Sequence, residues 1–190
     1  MKNRFALYAL ALERFATFAD KTQLQVKNGY TLQDKNFYLN VDLKGKGGAI
    51  QLVDANTKKI DGITNFDGNR LNGGRHIIID GIRLQPENTA TTIGAAKWDG
   101  TATPAVKNSV LKISQGEEIL FVPVSDLLAK DTATSNSDDF REISHLPIIA
   151  PDVDYKIEWQ FPDGVAVPGA AEDAPCFARL EFHTHEVFVK

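Results

Sequence analysis

The first twenty residues have a different hydrophobic pattern from the rest of the chain. Residues 5–20 (FALYALALERFATFAD) are apolar around most of a helical wheel, with Glu13, Thr17 and Asp20 grouped on the opposite side. This pattern predicts one amphipathic helix. From Thr22 onward, short apolar runs alternate with Gly, Pro, Asn and Asp, which is typical of strands joined by turns.

A period of two between apolar positions predicts eight or nine strands after the helix. The clearest are residues 36–43 and 153–161, in which apolar and polar positions alternate without interruption. Residues 76–84 contain three consecutive isoleucines, which predicts a strand covered on both faces. The remaining predicted strands are 22–26, 30–32, 49–53, 106–113, 117–124 and 177–189, with a weaker one at 59–65.

Turn residues and loop lengths indicate how these strands connect. Asn28-Gly29 predicts a tight hairpin turn, and Ser114-Gln115-Gly116 predicts a second one. The loops at 85–104, 130–139 and 162–175 are too long for a simple meander, and no repeat of 20–50 residues is present. We therefore expect an all-β, antiparallel Greek-key sandwich, jelly-roll-like, of about eight strands with an N-terminal α-helix. Residues 1–20 form the helix or arm, and residues 21–190 form a single β-sandwich domain.

Charge and cysteine content limit the kinds of partner. The net charge of -4 argues against direct binding of nucleic acid. Residues 1–95 carry 13 basic and 9 acidic side chains, whereas residues 96–190 carry 8 and 16, so the halves differ in sign. This asymmetry is compatible with complementary patches on neighbouring copies. Cys176 is the only cysteine, so folding depends on packing rather than on an internal disulfide.

The N-terminal helix has three interpretations. It caps the domain's own core, it docks on a neighbouring subunit or a membrane surface, or it belongs to a secretory signal. The uninterrupted apolar run extends only from Phe5 to Leu12 and is too short to span a bilayer. We expect the helix to dock on another surface. The side chains expected to make that contact are Phe5, Tyr8, Leu12, Phe15 and Phe18.

One candidate metal site lies on the last strand. Glu181, His183 and His185 occupy alternate positions and so project from one face. The His-x-His pair resembles that of the cupins, which are metal-binding jelly rolls. Cupins place a further glutamate and histidine downstream, and this sequence ends at Lys190. We expect a polar outer face here, with no metal and no cofactor.

Other potential chemistry is equally sparse. His76 and His145 stand near no recognisable nucleophile, and Gly45–Gly48 precedes a strand rather than the helix of a phosphate loop. We expect no catalytic residues and no enzymatic activity. Trp98 lies in a polar loop, where an exposed indole is suited to stacking on a sugar ring.

A disulfide-free sandwich with long loops, an apolar terminal arm and no active site resembles the single jelly-roll capsid or capsid-associated proteins of bacterial viruses. The resemblance is architectural and covers the whole chain. It implies a non-enzymatic structural protein of the virion, assembled in the host cytoplasm as a homo-oligomer with other virion proteins. It also implies peripheral membrane contact through the helix. The alternative is a carbohydrate- or surface-binding module, and the third candidate is a cupin-like metalloprotein.

Overall fold

Two antiparallel β-sheets and an N-terminal helix make up the computed structural model, which describes residues 4–26, 28–128, 140–167 and 176–190. The predicted all-β class with an N-terminal helix is therefore confirmed. The helices are α1 (Arg4–Lys21) and the short α2 (Pro104–Lys107). The strands are β1 (Tyr30–Asp42), β2 (Ala49–Val53), β3 (Arg75–Glu87), β4 (Val110–Gln115), β5 (Glu117–Pro123), β6 (Arg141–Glu142), β7 (Ile148–Ile149), β8 (Lys156–Gln160) and β9 (Phe177–Val189). The predicted loop at 130–139 and most of that at 162–175 lie outside the described residues.

The strand order links distant parts of the sequence. The first sheet runs β1-β9-β3-β6, with β7 also paired to β3, and the second runs β2-β8-β4-β5. The pairing is nested, because β1 pairs with β9, β2 with β8, β3 with β6, and β4 with β5. The hairpin between β4 and β5 lies where the Ser114-Gln115-Gly116 turn predicts it.

The main core lies between the inner faces of the two sheets. Alternate residues of β8 and β9, such as Ile157, Trp159, Leu180 and Phe182, are buried there. The indole Nε1 of Trp159 donates to Ser109 Oγ at 2.6 Å, so the one polar atom of this buried ring has a partner. Strand β3 is buried on both faces, as its isoleucines predict.

A second, smaller core forms on the outer face of the first sheet. Ile77 and Ile79 point into the main core, whereas Ile78 points outward and packs beneath α1. The helix thus supplies the cover that the outer side of β3 requires. The main chain after the helix turns at Gln23, whose φ of 53° is left-handed, and Leu24 N donates to Ala19 O at 2.9 Å to complete the helix end.

Several predicted strands differ from the structure. Residues 22–26 complete the helix end and its connection instead of pairing, and β1 is one continuous strand that joins the predicted 30–32 and 36–43. Residues 59–65 lie along the free edge of β1, where the Asn65 side chain bonds Tyr38 N and Asn36 O, each at 2.8 Å. This side chain replaces a strand partner, so an alternating sequence here forms only isolated bridges. Val106 belongs to α2 because Thr103 caps that helix and Pro104 starts it.

Candidate functional site

Helix α1 lies on the outer face of the first sheet and is anchored by its later turns. Phe15 is fully buried, with its ring centroid 4.9 Å from that of Tyr30 and 5.1 Å from that of His76. The apolar cluster beneath the helix contains Ala11, Phe15, Ile78, Leu146, Ile148 and Val187. Arg14 Nε also donates to Leu146 O at 3.3 Å. In the described part of the chain, no helix combines the length and apolar character needed to cross a membrane.

The structure separates the five side chains that were expected to contact another molecule. Phe15 packs against the chain's own sheet and is not accessible to a partner, which corrects the expectation for this residue. Leu12 and Phe18 are half-buried at the sides of the same contact. Phe5 is 83% exposed and Tyr8 is 40% exposed. The division arises because the later turns of α1 lie over the apolar end of the sheet.

Exposed apolar side chains are concentrated in the first two turns of α1. The described residues include seven large exposed apolar side chains, and three of them are Phe5, Tyr8 and Leu10. Leu10 is 46% exposed. Sequence reasoning did not select Leu10 as a contact residue, although it is apolar. Its exposure follows from which side of the helix meets the sheet, which no local pattern specifies.

A partly buried cluster of histidines and carboxylates, in which His185 and Asp80 are the buried members, lies under the first turns of the helix. His185 is 3% exposed, with its Nδ1 2.8 Å from Asp34 Oδ1 and its Nε2 3.1 Å from Asp80 Oδ2. His183 Nδ1 lies 2.6 Å from Asp80 Oδ1. Leu7 of α1 lines the same small cleft. Asp80 reaches the cluster from an irregularity in the pairing of β3 with β9.

The charges in this cluster stabilise one another. Burial lowers the pKa of His185, but the carboxylates of Asp80 and Asp34 outweigh it, so the pKa is raised. Burial likewise favours protonated Asp80, yet His183 and His185 lower its pKa. His76, beneath Phe15 and Phe18, has its pKa lowered, chiefly by burial.

We expect these two histidines to give stability opposite dependences on pH. The contribution of His185 is complete below the unfolded-state pKa of 6.5 and is lost as the pH rises through its raised folded value. His76 acts in the other direction, because the unfolded chain binds the proton more tightly and stability falls as the pH drops below 6.5. Denaturant titrations from pH 5 to 9 measure both effects. This range extends about two pH units on either side of the pKa of an unperturbed histidine. His185→Gln should remove the loss at high pH, and His76→Phe the loss at low pH; unchanged profiles would contradict these assignments.

The candidate metal ligands do not converge. Glu181 is held by two arginines, with its carboxylate oxygens 2.5 Å from Arg83 Nε and 2.7 Å from Arg179 Nε. Its carboxylate is therefore engaged by these arginines, whereas His183 and His185 meet Asp80 instead. Among the described residues, no three His, Cys, Asp or Glu side chains are arranged to hold a metal ion. This arrangement counts against a cupin-like site at Glu181.

Glu87 organises the loop that carries Trp98. Its side chain is fully buried at the end of β3. It accepts hydrogen bonds from Thr89 N at 2.6 Å, Thr89 Oγ1 at 2.8 Å, Ala90 N at 3.1 Å, Lys97 N at 2.7 Å and Trp98 N at 3.3 Å. Burial alone would raise the pKa of Glu87, but these donors lower it to about 2. Sequence reasoning missed Glu87 because an acidic residue at a strand end carries no signal of this role.

Trp98 lies half-exposed beside the outer face of the first sheet. Its φ of 62° is left-handed, which is unusual for a bulky residue. The guanidinium carbon of Arg179 lies 4.9 Å from the ring centroid of Tyr38 and 5.9 Å from that of Trp98. The loop therefore brings an indole to a cation and a second aromatic ring on the sheet.

The outer face of the first sheet thus carries three features. They are the anchored helix α1 with exposed apolar side chains in its first turns, the partly buried charge cluster beneath it, and a strip of aromatic and charged side chains. Comparisons of the chain with models of protein families and with curated proteins found no match in either.

Proposed function

We propose that this protein is a non-enzymatic structural subunit that assembles with copies of itself, as a virion capsid or capsid-associated jelly-roll protein does. The observation that carries the proposal is the division of α1. Its later turns are fixed on the sheet by Phe15, while its first turns present Phe5, Tyr8 and Leu10 to the surroundings. Exposed apolar side chains held on a folded domain are suited to contact with another protein.

The order of the strands supports the jelly-roll form of this proposal. The first strand pairs with the last, and the pairing continues inward to β4 and β5. This nested pattern results when one long hairpin is rolled into two sheets. Jelly rolls occur in viral capsid proteins, lectins and cupins. A jelly roll is therefore compatible with all three functions expected from the sequence, and the side chains must distinguish them.

The energy of assembly comes from burial of the exposed apolar groups. Full burial of a large apolar side chain contributes about 1.5–3 kcal/mol. Because α1 is already folded and anchored, little conformational entropy is lost when its first turns meet a partner. A modest contact repeated over many copies is enough for a stable assembly. Other virion proteins, and a membrane surface touched peripherally, are further partners in this proposal.

A double substitution tests the assembly surface. Phe5→Ser with Leu10→Ser should leave the fold intact and shift the protein from large assemblies to small species. Ile60→Ser with Val153→Ser removes comparable exposed apolar groups elsewhere, since these residues are 55% and 51% exposed, and should leave assembly unchanged. Sedimentation velocity and negative-stain images give the readout.

Two outcomes of that experiment would contradict the proposal. One is a wild-type protein that stays monomeric at every concentration. The other is a Phe5/Leu10 variant that assembles as well as the wild type. Flotation of the monomeric wild-type protein with lipid vesicles, lost in the Phe5/Leu10 variant, would assign α1 to a membrane surface in place of other copies.

A further inference from the structure

A strip of aromatic and charged side chains continues along the outer face of the first sheet beyond the helix. It contains Trp98, Arg179, Tyr38, Glu181 and Arg83, joined in series by ring contacts and ion pairs. Tyr38, Arg179 and Trp98 are each half-buried, so their remaining surface is accessible. We propose that Tyr38, Trp98 and Arg179 form a binding site for an anionic saccharide.

The first support for this site is the way Trp98 is held. A left-handed backbone is unfavourable at a bulky residue, and such strain persists only when the surroundings impose it. Here the buried carboxylate of Glu87 imposes it by accepting the backbone N–H groups of Lys97 and Trp98. The backbone that carries the indole is therefore held in position before any ligand arrives, which reduces the entropy lost on binding.

The second support is the hydrogen-bonding capacity of Arg179. Its Nε is used by Glu181, at 2.7 Å from Oε1. Its two Nη groups make no hydrogen bond within the described residues. A guanidinium group with a free fork of N–H donors matches a carboxylate in geometry and charge.

The combination of groups favours a sugar over a nucleic acid. Aromatic rings stack on the apolar faces of sugars as they do on bases. A strand of nucleic acid, however, needs a basic groove that follows several phosphates. This chain has a net charge of -4, and the strip offers one guanidinium group, that of Arg179, whose Nη donors make no hydrogen bond within the described residues. One carboxylate on one or two stacked sugar rings fits that single group.

Binding of defined oligosaccharides tests this proposal. The probes are a galacturonic acid tetramer and, as its neutral counterpart, a glucose tetramer, followed by calorimetry and by tryptophan fluorescence. Trp159 is fully buried, so a fluorescence change on binding reports Trp98. We expect the acidic tetramer to bind more tightly than the neutral one. Trp98→Ala should weaken binding about tenfold or more, because it removes the ring on which the sugar stacks.

Two further variants make the result specific. Arg179→Gln should remove the preference for the acidic tetramer while retaining weak stacking. Phe121→Ala removes an aromatic ring that is 54% exposed on β5 and should leave binding unchanged. The proposal is overturned if neither tetramer binds, if both bind equally, or if folded Trp98→Ala binds as well as the wild type. Tighter binding of a thymidine oligonucleotide would overturn it in favour of nucleic acid.

Discussion

Phe15→Ala is expected to detach α1 from the sheet and to lower the free energy of unfolding by about 3 kcal/mol. Phe15 is fully buried among Tyr30, His76 and Ile78, and truncation leaves a cavity between the helix and β3. The loss is limited to the energy of helix docking, because the main core lies on the other side of the sheet. Chemical denaturation followed by far-ultraviolet circular dichroism measures it, together with any loss of helix before the main transition.

Phe5→Ala is the matched control, since it removes the same ring from the same helix. Phe5 is largely exposed, so we expect its free energy of unfolding to change by less than about 0.5 kcal/mol. Its effect should fall on association instead. Equal destabilisation by the two substitutions would mean that the first turns of α1 are part of the core, and the division of the helix would be wrong.

Glu87→Ala is expected to disorder the loop that carries Trp98 and to cost roughly 3 kcal/mol or more, because hydrogen bonds to a charged group contribute about 1.5–3 kcal/mol each. The backbone N–H groups of Thr89, Ala90, Lys97 and Trp98 lose their acceptor in this variant. Hydrogen exchange of these amides and the free energy of unfolding give the measurement. Unchanged protection of the four amides would contradict the role of Glu87.

Glu87→Gln separates charge from shape and predicts a change in acid stability. The pKa of Glu87 is lowered from 4.5 to about 2, so its contribution is present above pH 4.5 and is lost as the pH falls through about 2. The glutamine variant keeps one acceptor oxygen but places an NH₂ group against backbone donors. It should be less stable than the wild type at pH 7, with a smaller difference near pH 2. A constant difference across this range would contradict the ionised state of Glu87.

Sequence periodicity predicted the faces of the strands well but not what covers them. The alternation in β9 places Leu180 and Phe182 inward and His183 and His185 outward, as the structure has them. The pattern suggested that the outward face meets solvent, whereas His185 is buried beneath α1. Periodicity reports which residues share a face, and burial of that face depends on how a distant element packs.

Sequence analysis could predict only those members of the candidate site that are recognisable from a single residue or a local pattern. Trp98 stood out as an aromatic in a polar loop, and the apolar helix stood out by its pattern. Glu87 and Asp80 could not be found in this way, because their partners come from other strands and from loop amides. Leu10 and Phe15 have the same apolar character, and only the position of the sheet separates their roles.

Thiol labelling of Leu10→Cys tests most directly whether the first turns of α1 form the assembly surface. The native Cys176 is buried and its thiol pKa is raised, mainly by burial, so it should react slowly. We predict rapid labelling of Leu10→Cys in dilute, dissociated protein and at least about tenfold slower labelling at concentrations where assemblies form, whereas Ile60→Cys reacts equally in both. A tenfold change corresponds to about 1.4 kcal/mol of protection. Equal labelling of Leu10→Cys in dissociated and assembled protein would contradict the account.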